Sequence, residues 1–255
     1  MVEINEVLPN PTVKLVSFEV RFPNMFFLES KIGDLQMRVM ERFPESDILM
    51  RKQFLFADIG QDGRLVNPPA DLDKEFIKKI WQFRSGDKYQ LNVLTNSLSI
   101  QSSHHKTYMK ANADRFRDVI KFVMDGFLDI TKVPVMNRVG LRYIDECPIP
   151  AKENSKFEEW YNTSFPLRRF NIADASEMTF VTVGKRGGYN LRYLEQLQRK
   201  DDAYILNLDF DGFALNIEAG NYLAVTDELY QIIKHEYEAT IKEPVLEFMK
   251  QKKEG

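Results

Sequence analysis

Cysteine is almost missing from this sequence, because Cys147 is the only one in 255 residues. A disulfide within the chain is therefore excluded, and such a composition is typical of proteins from a reducing compartment. Long apolar runs are missing too, since no segment approaches the roughly 18 residues that a transmembrane helix needs. The first residues, "MVEINEVLPNPTVK", lack the basic and apolar regions of a signal peptide. We therefore expect a cytoplasmic protein with no membrane partner.

An excess of either charge is also missing. The chain carries 35 Lys and Arg against 38 Asp and Glu, which gives a formal net charge of −3. A charge this small produces no general attraction for nucleic acid or for an acidic membrane. Nucleic acid or a small anionic ligand would therefore have to bind through a local patch. The hydrophobic fraction of 44% is ordinary for a globular protein and is sufficient for a core.

Complete metal-binding motifs are missing. His235 opens the stretch "HEYEA", but a zinc-protease helix needs a second histidine four residues later, where this chain has Ala239. His104 and His105 are adjacent, so in a strand their side chains would point to opposite faces and could not bind one ion together. The sequence therefore predicts no metal site and no cofactor.

Catalytic motifs are missing as well. The glycine-rich stretch "GKRGG" lies between two predicted strands, whereas a phosphate-binding loop must be followed by a helix. No G-x-S-x-G sequence is present, and Cys147 has no histidine close to it in sequence. We predict no catalytic residues and lean towards a protein that is not an enzyme.

Alternation of polar and apolar residues predicts many strands. The first is "VKLVSFEVRFPN", in which Val16, Phe18 and Val20 share one face. Three more runs, "FIKKIWQFR", "YQLNVLT" and "SLSIQSS", are separated by short turns and favour hairpins. Later runs of the same kind are "MTFVTV", "YNLRYLEQLQ" and "AYILNLDFDGFAL". A turn-rich surface loop is predicted at 58–75.

Helical periodicity predicts isolated helices between these strands. The clearest are "TYMKANADRFRDVIKFVMDGFLDI" and "TDELYQIIKHEYEATIKEPVLEFMKQ". We expect Thr226 to cap the second of them and Pro244 to kink or split it. Runs of strands between isolated helices favour an α+β fold, with antiparallel sheets and long helices packed on one face. The order recurs, which suggests two related halves, 1–147 and 148–255, that can also form one continuous domain.

The stretch "NRVGLRYIDE" places two arginines on one face of a predicted strand. Leu141 and Tyr143 point to the core, so Arg138 and Arg142 point to the opposite face, about 13–14 Å apart along the strand. Gly140 lies between them and leaves a gap that can admit a ligand, an aromatic ring or another backbone. The sequence therefore predicts a polar surface centred on this strand.

Three more charged residues are expected on the same polar surface. In "LNLDFDGF", Asp209 and Asp211 alternate with core-facing residues, and Arg192 lies in the partial repeat "YNLRYLEQ". One interpretation is a set of cross-strand ion pairs on a solvated sheet face. A second makes the arginines a site for a phosphate, a carboxylate or a nucleic-acid backbone. A third uses Asp209 and Asp211 as ligands of a hard cation such as Mg²⁺, although two carboxylates alone are few for such an ion.

Several stretches resemble the sequence pattern of a known family. They are Val13–Phe22, Ile32–Gln36, Phe83–Ser85, Leu94–Ser99, Arg138–Ile144 with its "RVGLRYI" core, Leu208–Asp211 and the helix at 226–249. Together they resemble a sporadically distributed prokaryotic family of about this length that has no assigned biochemical function. The resemblance implies one family unit from end to end and brings no catalytic residues. A patchy distribution fits a mobile-element or defence-associated system.

These observations predict an accessory or regulatory binding protein that acts through protein contacts. We expect a protein partner, and a homo-oligomer is compatible with the sequence. The alternative is a small-ligand or nucleotide-binding sensor in which Arg138 and Arg142, with Arg192, Asp209 and Asp211, form an anion site. A metal-dependent nuclease or phosphotransferase that uses Asp209 and Asp211 is the third hypothesis.

Overall fold

One antiparallel sheet of nine strands forms the centre of the molecule. The structure is a computed structural model that describes residues 2–5, 7–53, 76–86, 88–105, 107–110, 115–200 and 203–251. The strands are β1 (Val13–Arg21), β2 (Glu45–Gln53), β3 (Phe76–Ser85), β4 (Tyr89–Leu94), β5 (Ser97–Ser102), β6 (Val135–Cys147), β7 (Glu177–Arg186), β8 (Tyr189–Lys200) and β9 (Ala203–Glu218). Their order across the sheet is β2-β3-β4-β5-β1-β6-β9-β8-β7.

The described part of the chain contains five α-helices. They are α1 (Leu28–Val39), α2 (Phe116–Thr131), α3 (Asn154–Trp160), α4 (Tyr222–Thr240) and α5 (Glu243–Lys250). α4 lies across β6 and β9, and α1 packs on α2. α4 comes close to the sheet at Gly212, where an added Cβ would lie 3.4 Å from both Leu229 and Ile233. No helix in the described part of the chain is both long enough and apolar enough to cross a membrane.

The predicted fold class, antiparallel sheets with long helices packed on one face, is wrong about the number of sheets and about the length of the helices. There is one continuous sheet, because β6 pairs with β1 on one side and with β9 on the other. Strand accounts for 42% of the structure against 32% for helix, and most of the helices are short. The helix predicted from residue 107 begins only at Phe116. Apolar periodicity marks a helix face, but it does not show where the helical backbone hydrogen bonds begin.

Many of the individual elements follow the predicted pattern. β3, β4 and β5 form two successive antiparallel hairpins, and β7 pairs with β8 in the same way. Pro244 does split the last helix, since α4 ends at Thr240 and α5 begins at Glu243. Thr226 is not an N-cap: it lies inside α4, and its hydroxyl donates to the Tyr222 carbonyl at 2.7 Å. The loop predicted at 58–75 lies outside the described residues.

The two faces of the sheet differ in polarity. On the helix-covered face, Phe18 pairs with Leu141 and with Ile100, and all three are fully buried. The opposite face, which we call the open face, carries Ser, Gln, Asn and charged side chains along the middle strands. An antiparallel sheet can leave one face in water in this way. The two faces therefore offer two different kinds of candidate site.

Candidate functional site

The predicted polar surface forms on the open face. Leu208 and Phe210 of β9 are buried under the helices, so Asp209 and Asp211 project to the other side. Arg142 of β6 and Arg192 of β8 are both cross-strand partners of Asp211, which lies between them. Together with Arg138 they form a cluster that we call the arginine–aspartate ladder: Arg138, Arg142, Arg192, Asp209 and Asp211. The structure therefore brings all five predicted site residues together.

The ladder is held by ion pairs that run diagonally across the strands. Arg142 donates from Nε and Nη2 to the two oxygens of Asp209, each at 2.7 Å. Arg192 adds a longer contact to Asp209 at 3.4 Å, and Arg138 donates to Asp211 at 2.6 Å. Asp209 is only 5% exposed, so the bidentate pair satisfies a carboxylate that water scarcely reaches. The predicted ion-pair interpretation is confirmed in its geometry.

Gly140 has a structural explanation within the ladder. The guanidinium of Arg138 folds back over Gly140, and a Cβ added there would lie 2.7 Å from the Arg138 Cζ. The two cross-strand neighbours of Gly140, Glu19 and Phe213, flank that guanidinium. Arg138 donates to Glu19 at 3.3 Å, and its Cζ lies 4.9 Å from the centre of the Phe213 ring. The gap that the sequence predicted is therefore filled by the neighbouring arginine.

The electrostatics of the ladder favour a structural role. Burial raises the pKa of Asp211, and the charge of Arg138 partly offsets that effect. The hydrogen bond to Asp209 raises the pKa of Arg142. An anion bound to the arginines would have to compete with carboxylates that already occupy them. The residues that the structure describes include no group of three or more His, Cys, Asp or Glu side chains placed to hold a metal ion. The anion-site and metal-site hypotheses stay predictions.

A second candidate site lies under the helices and was not predicted from the sequence. It is a cavity of about 360 Å³ between described residues of the segment 4–13, His105 with residues 107–110, β6 and α4. Four tyrosines line it: Tyr108, Tyr143, Tyr230 and Tyr237. We call it the tyrosine cavity. Its lining mixes apolar side chains with polar and charged ones, and clefts of this size are common as small-ligand sites.

The walls of the tyrosine cavity are ordered by ring contacts and hydrogen bonds. Tyr108 and Tyr230 stack with centroids 4.4 Å apart, and Tyr230 lies 6.3 Å from Tyr143. The Tyr108 hydroxyl donates to Asp227 at 2.9 Å, and the Tyr143 hydroxyl lies 3.2 Å from Nε2 of His105. Because these rings are fixed by their neighbours, the cavity has a defined shape before any ligand enters.

Asp145 is the chemically unusual residue of the cavity. It is 5% exposed, and Oδ1 accepts a hydrogen bond from the Thr12 hydroxyl at 2.8 Å. The Tyr237 hydroxyl lies 2.6 Å from the same Thr12 oxygen. Among the described residues, no donor reaches Oδ2 of Asp145 and no Lys or Arg forms an ion pair with it. Burial raises the pKa of Asp145 to about 7, and the Thr12 hydrogen bond opposes part of that rise.

One sequence signal could have revealed this site. Leu141, Tyr143, Asp145 and Cys147 occupy alternate positions of β6, so they share the helix-covered face. A carboxylate at a core-facing position of a strand is costly unless it has partners or a function. Thr12 and Tyr237 lie 133 and 92 residues from Asp145 in sequence, so no local pattern links them. Arg138 and Arg142, in contrast, lie only four residues apart in one strand, where a local pattern links them.

No protein-family model, no curated protein and no solved structure matches this chain. The resemblance to a sporadically distributed prokaryotic family therefore stays a prediction. The candidate sites are characterised by their own geometry.

Proposed function

We propose that this protein binds a small organic molecule in the tyrosine cavity and works as a non-enzymatic binding or sensing protein. The observation that carries the proposal is Asp145, a carboxyl group that is 95% buried at a cavity wall and that has one oxygen without a donor from the described residues. Oδ2 is not among the fully buried side-chain atoms that lack a partner, so it is accessible from the cavity, where a donor can reach it. A ligand that donates to Asp145 would complete its hydrogen bonding.

The surroundings of Asp145 support binding more than catalysis. Burial raises the pKa values of Tyr143 and Tyr237 well above that of a free tyrosine, so both hydroxyls stay protonated near neutral pH. Burial also raises the pKa of the Cys147 thiol, which keeps it a poor nucleophile. Neutral hydroxyls next to one carboxyl can position a ligand, and none of them is activated as a nucleophile.

The tyrosine cavity lies where several parts of the fold meet. The segment 4–13 crosses the helix-covered face and is tied to α4 and α5, since Ile4 donates to Glu238 at 2.7 Å and Asn10 donates to the Met249 carbonyl at 3.0 Å. A ligand in the cavity would touch this segment, β6 and α4 at once. Its binding would therefore stabilise the packing of those three elements.

The test is equilibrium dialysis of the purified protein against a small-molecule extract of its host, with mass spectrometry of what is retained. We expect one or more compounds to be enriched by the wild-type chain. Val7→Trp, at a half-exposed position of the cavity lining, should block the cavity and abolish the enrichment. Val183→Trp is the matched control, because Val183 is exposed on β7 and does not line the cavity. Equal retention by both variants, or no enrichment by wild type, would contradict the proposal.

The accessory role through protein contacts is the second candidate function. It is favoured by Met37 of α1, by Met40 directly after that helix and by Ile48 and Met50 of the edge strand β2, all more than half exposed. Exposed apolar side chains grouped in this way mark protein contacts. Gln36 of α1 bonds to Ser46 of β2 at 3.0 Å, which places the two elements side by side.

Affinity purification from the native host tests this second function. A double variant, Met37→Lys with Met40→Lys, should lose any partner that co-purifies with the wild-type chain in fixed proportion. The control is Val181→Lys with Val183→Lys, which changes two exposed valines of β7 at the other edge of the sheet. Retention of the partner by the methionine variant would argue against a contact at α1 and β2.

A further inference from the structure

We propose that the ligand of the tyrosine cavity carries a protonated amine, and that this ammonium group binds the carboxylate of Asp145. The inference rests on the proposed function and adds the chemical class of the ligand. It follows from the placement of one acidic group, deep in the cavity, among aromatic rings and hydroxyls. Each of these features favours a cation over an anion or a neutral molecule.

The first argument is charge balance. A carboxylate that is 95% buried needs a cation or several donors nearby, and those described residues that contact Asp145 supply one hydroxyl, from Thr12. An ammonium group within hydrogen-bonding distance would provide both the countercharge and the missing donor. An anionic ligand would instead place a second negative charge beside Asp145. A neutral alcohol would supply a hydrogen bond but no charge.

The second argument is the aromatic wall. Tyr143 lies two positions before Asp145 on the same face of β6, and Tyr230 lies next to Tyr143 with ring centroids 6.3 Å apart. Rings so close to a carboxylate favour an ammonium group through their negative faces. The carbon skeleton of the ligand would lie against Ile4 and Met249, which also line the cavity.

Several titratable groups lie around Asp145, on its own strand and on α4. Tyr143 and Cys147 belong to its own strand, and Tyr237, Tyr230 and Lys234 belong to α4. The tyrosines and the thiol keep their protons near neutral pH, because burial raises the pKa of each. Lys234 is paired with Glu238 at 3.5 Å.

Besides Lys234, two more basic groups at the cavity affect the ligand class. The Lys110 ammonium donates to the Asn5 carbonyl, and no acidic side chain in the described part of the chain pairs with it. It could therefore hold an anionic end of the same ligand, so a simple amine and an amino acid share the required chemistry. His105 lies between Tyr143 and α2, so a variant at His105 serves as the control for the effect of Asp145.

The experiment uses two matched sets of probes on the full chain. One set is phenethylamine, phenylalanine, 3-phenylpropionate and 2-phenylethanol, and the other is isoamylamine, leucine, 4-methylpentanoate and 3-methylbutanol. Within each set the skeleton is similar, and the charge is cationic, zwitterionic, anionic or neutral. Binding is measured by calorimetry and by protein NMR shifts at pH 8. We expect the amine, the amino acid or both to bind at least tenfold more tightly than the acid and the alcohol.

Variants assign the effect to Asp145. Asp145→Asn keeps the shape of the side chain and should abolish the preference for the amine, whereas Asp34→Asn, on the exposed surface of α1, should leave it unchanged. In wild type, the affinity for the amine should fall about tenfold per pH unit below about pH 7, because a protonated Asp145 gives no charge attraction. His105→Gln should keep this pH dependence and Asp145→Asn should lose it.

Several results would overturn the ligand class. Equal binding of the alcohol or the acid, an unchanged amine affinity in Asp145→Asn, or a pH dependence that disappears only in His105→Gln would each do so. Failure of both probe sets to bind would also count against it. The host extract could instead supply a compound without an amine that binds the wild-type chain and not Val7→Trp. That result would support the proposed function and contradict the amine as the ligand class.

Discussion

The guanidinium of Arg138 lies directly over Gly140, two residues further along the same strand. This position lets Arg138 contact Glu19 at 3.3 Å on one neighbouring strand and Asp211 at 2.6 Å on the other. Any side chain at position 140 would occupy the same space. The position of the Arg138 guanidinium therefore requires glycine at position 140, and this dependence can be measured.

Gly140→Ala should lower the free energy of unfolding by about 1–3 kcal/mol, because the Cβ displaces the Arg138 guanidinium from two carboxylates. In an Arg138→Ala background, the same change should cost little or become slightly stabilising, since alanine suits a strand better than glycine. Urea unfolding of the four chains gives the coupling energy. Gly184→Ala in β7 is the control, because nothing lies within 4 Å of the added Cβ. Additive effects of the two substitutions would refute the dependence.

Asp145→Asn should stabilise the protein, and more so at pH 8 than at pH 5. The pKa of Asp145 is about 7 in the folded chain and near its ordinary value of 3.8 in the unfolded chain. The folded state therefore binds more protons between these two pH values, and its stability falls as the pH rises through that window. Asparagine does not titrate, so we expect its advantage to grow by about 3 kcal/mol between pH 5 and pH 8, at about 1.4 kcal/mol for each unit below the folded pKa.

Urea unfolding at several pH values between 4 and 8 measures this difference. Asp34→Asn, an exposed carboxyl paired with Lys31, should show no comparable trend. A constant difference between wild type and Asp145→Asn at all pH values would mean that the carboxyl is ionised in the folded protein throughout.

Arg142→Ala should destabilise the sheet by about 1–3 kcal/mol. The bidentate partner of Asp209 is removed, and this nearly buried carboxylate keeps only Arg192 at 3.4 Å. Arg142 is 45% exposed, which places the expected loss below that of a fully buried pair. Asp209→Asn in the same chain should recover part of the loss. Arg38→Ala, which breaks an exposed pair with Asp129, should change stability by less than about 1 kcal/mol.

Glu195→Gln should loosen the segment that follows α3. Glu195 is fully buried and accepts from the Thr163 hydroxyl, from the Ser164 backbone N–H at 2.8 Å and from the Tyr193 hydroxyl at 3.3 Å. The amide of glutamine replaces one acceptor by a donor, so at least one of these bonds is lost, at about 1–2 kcal/mol. Hydrogen exchange at Ser164 should be faster than in wild type. Unchanged protection there would show that the backbone holds this segment without Glu195.

The sequence predicted the open face better than the cavity. Alternation along β6 and β9 is a local property with a period of two, so the side chosen by Arg142 and Asp209 follows from their neighbours. Alternation does not predict that Arg142 pairs diagonally with Asp209, because this pairing depends on the register and twist of the strands. Nor does it reveal that β6 pairs with β9, which joins the two predicted halves in one sheet.

The position of Asp145 in β6 is a sequence signal, but the cavity around it could not be predicted, because its parts are distant in sequence. Asp145 acquires its environment from Thr12 and Tyr237, which come from an irregular segment and from a helix. Within the pattern of β6, Asp145 is a polar residue near a strand end, and such residues are commonly exposed. Only the packing of the segment 4–13 over the sheet makes it a buried group.

Residues near both ends of the described chain form walls of the tyrosine cavity. This arrangement has a consequence for the biosynthesis of the protein. Asn10 bonds to Met249, and Thr12 contacts Tyr237, so the walls cannot assemble until the residues of α5 have left the ribosome. Such distant pairings close slowly, because a long loop must be ordered first. A chain that stops before α5 therefore lacks one wall of the tyrosine cavity, and under the proposed function it should not retain the ligand.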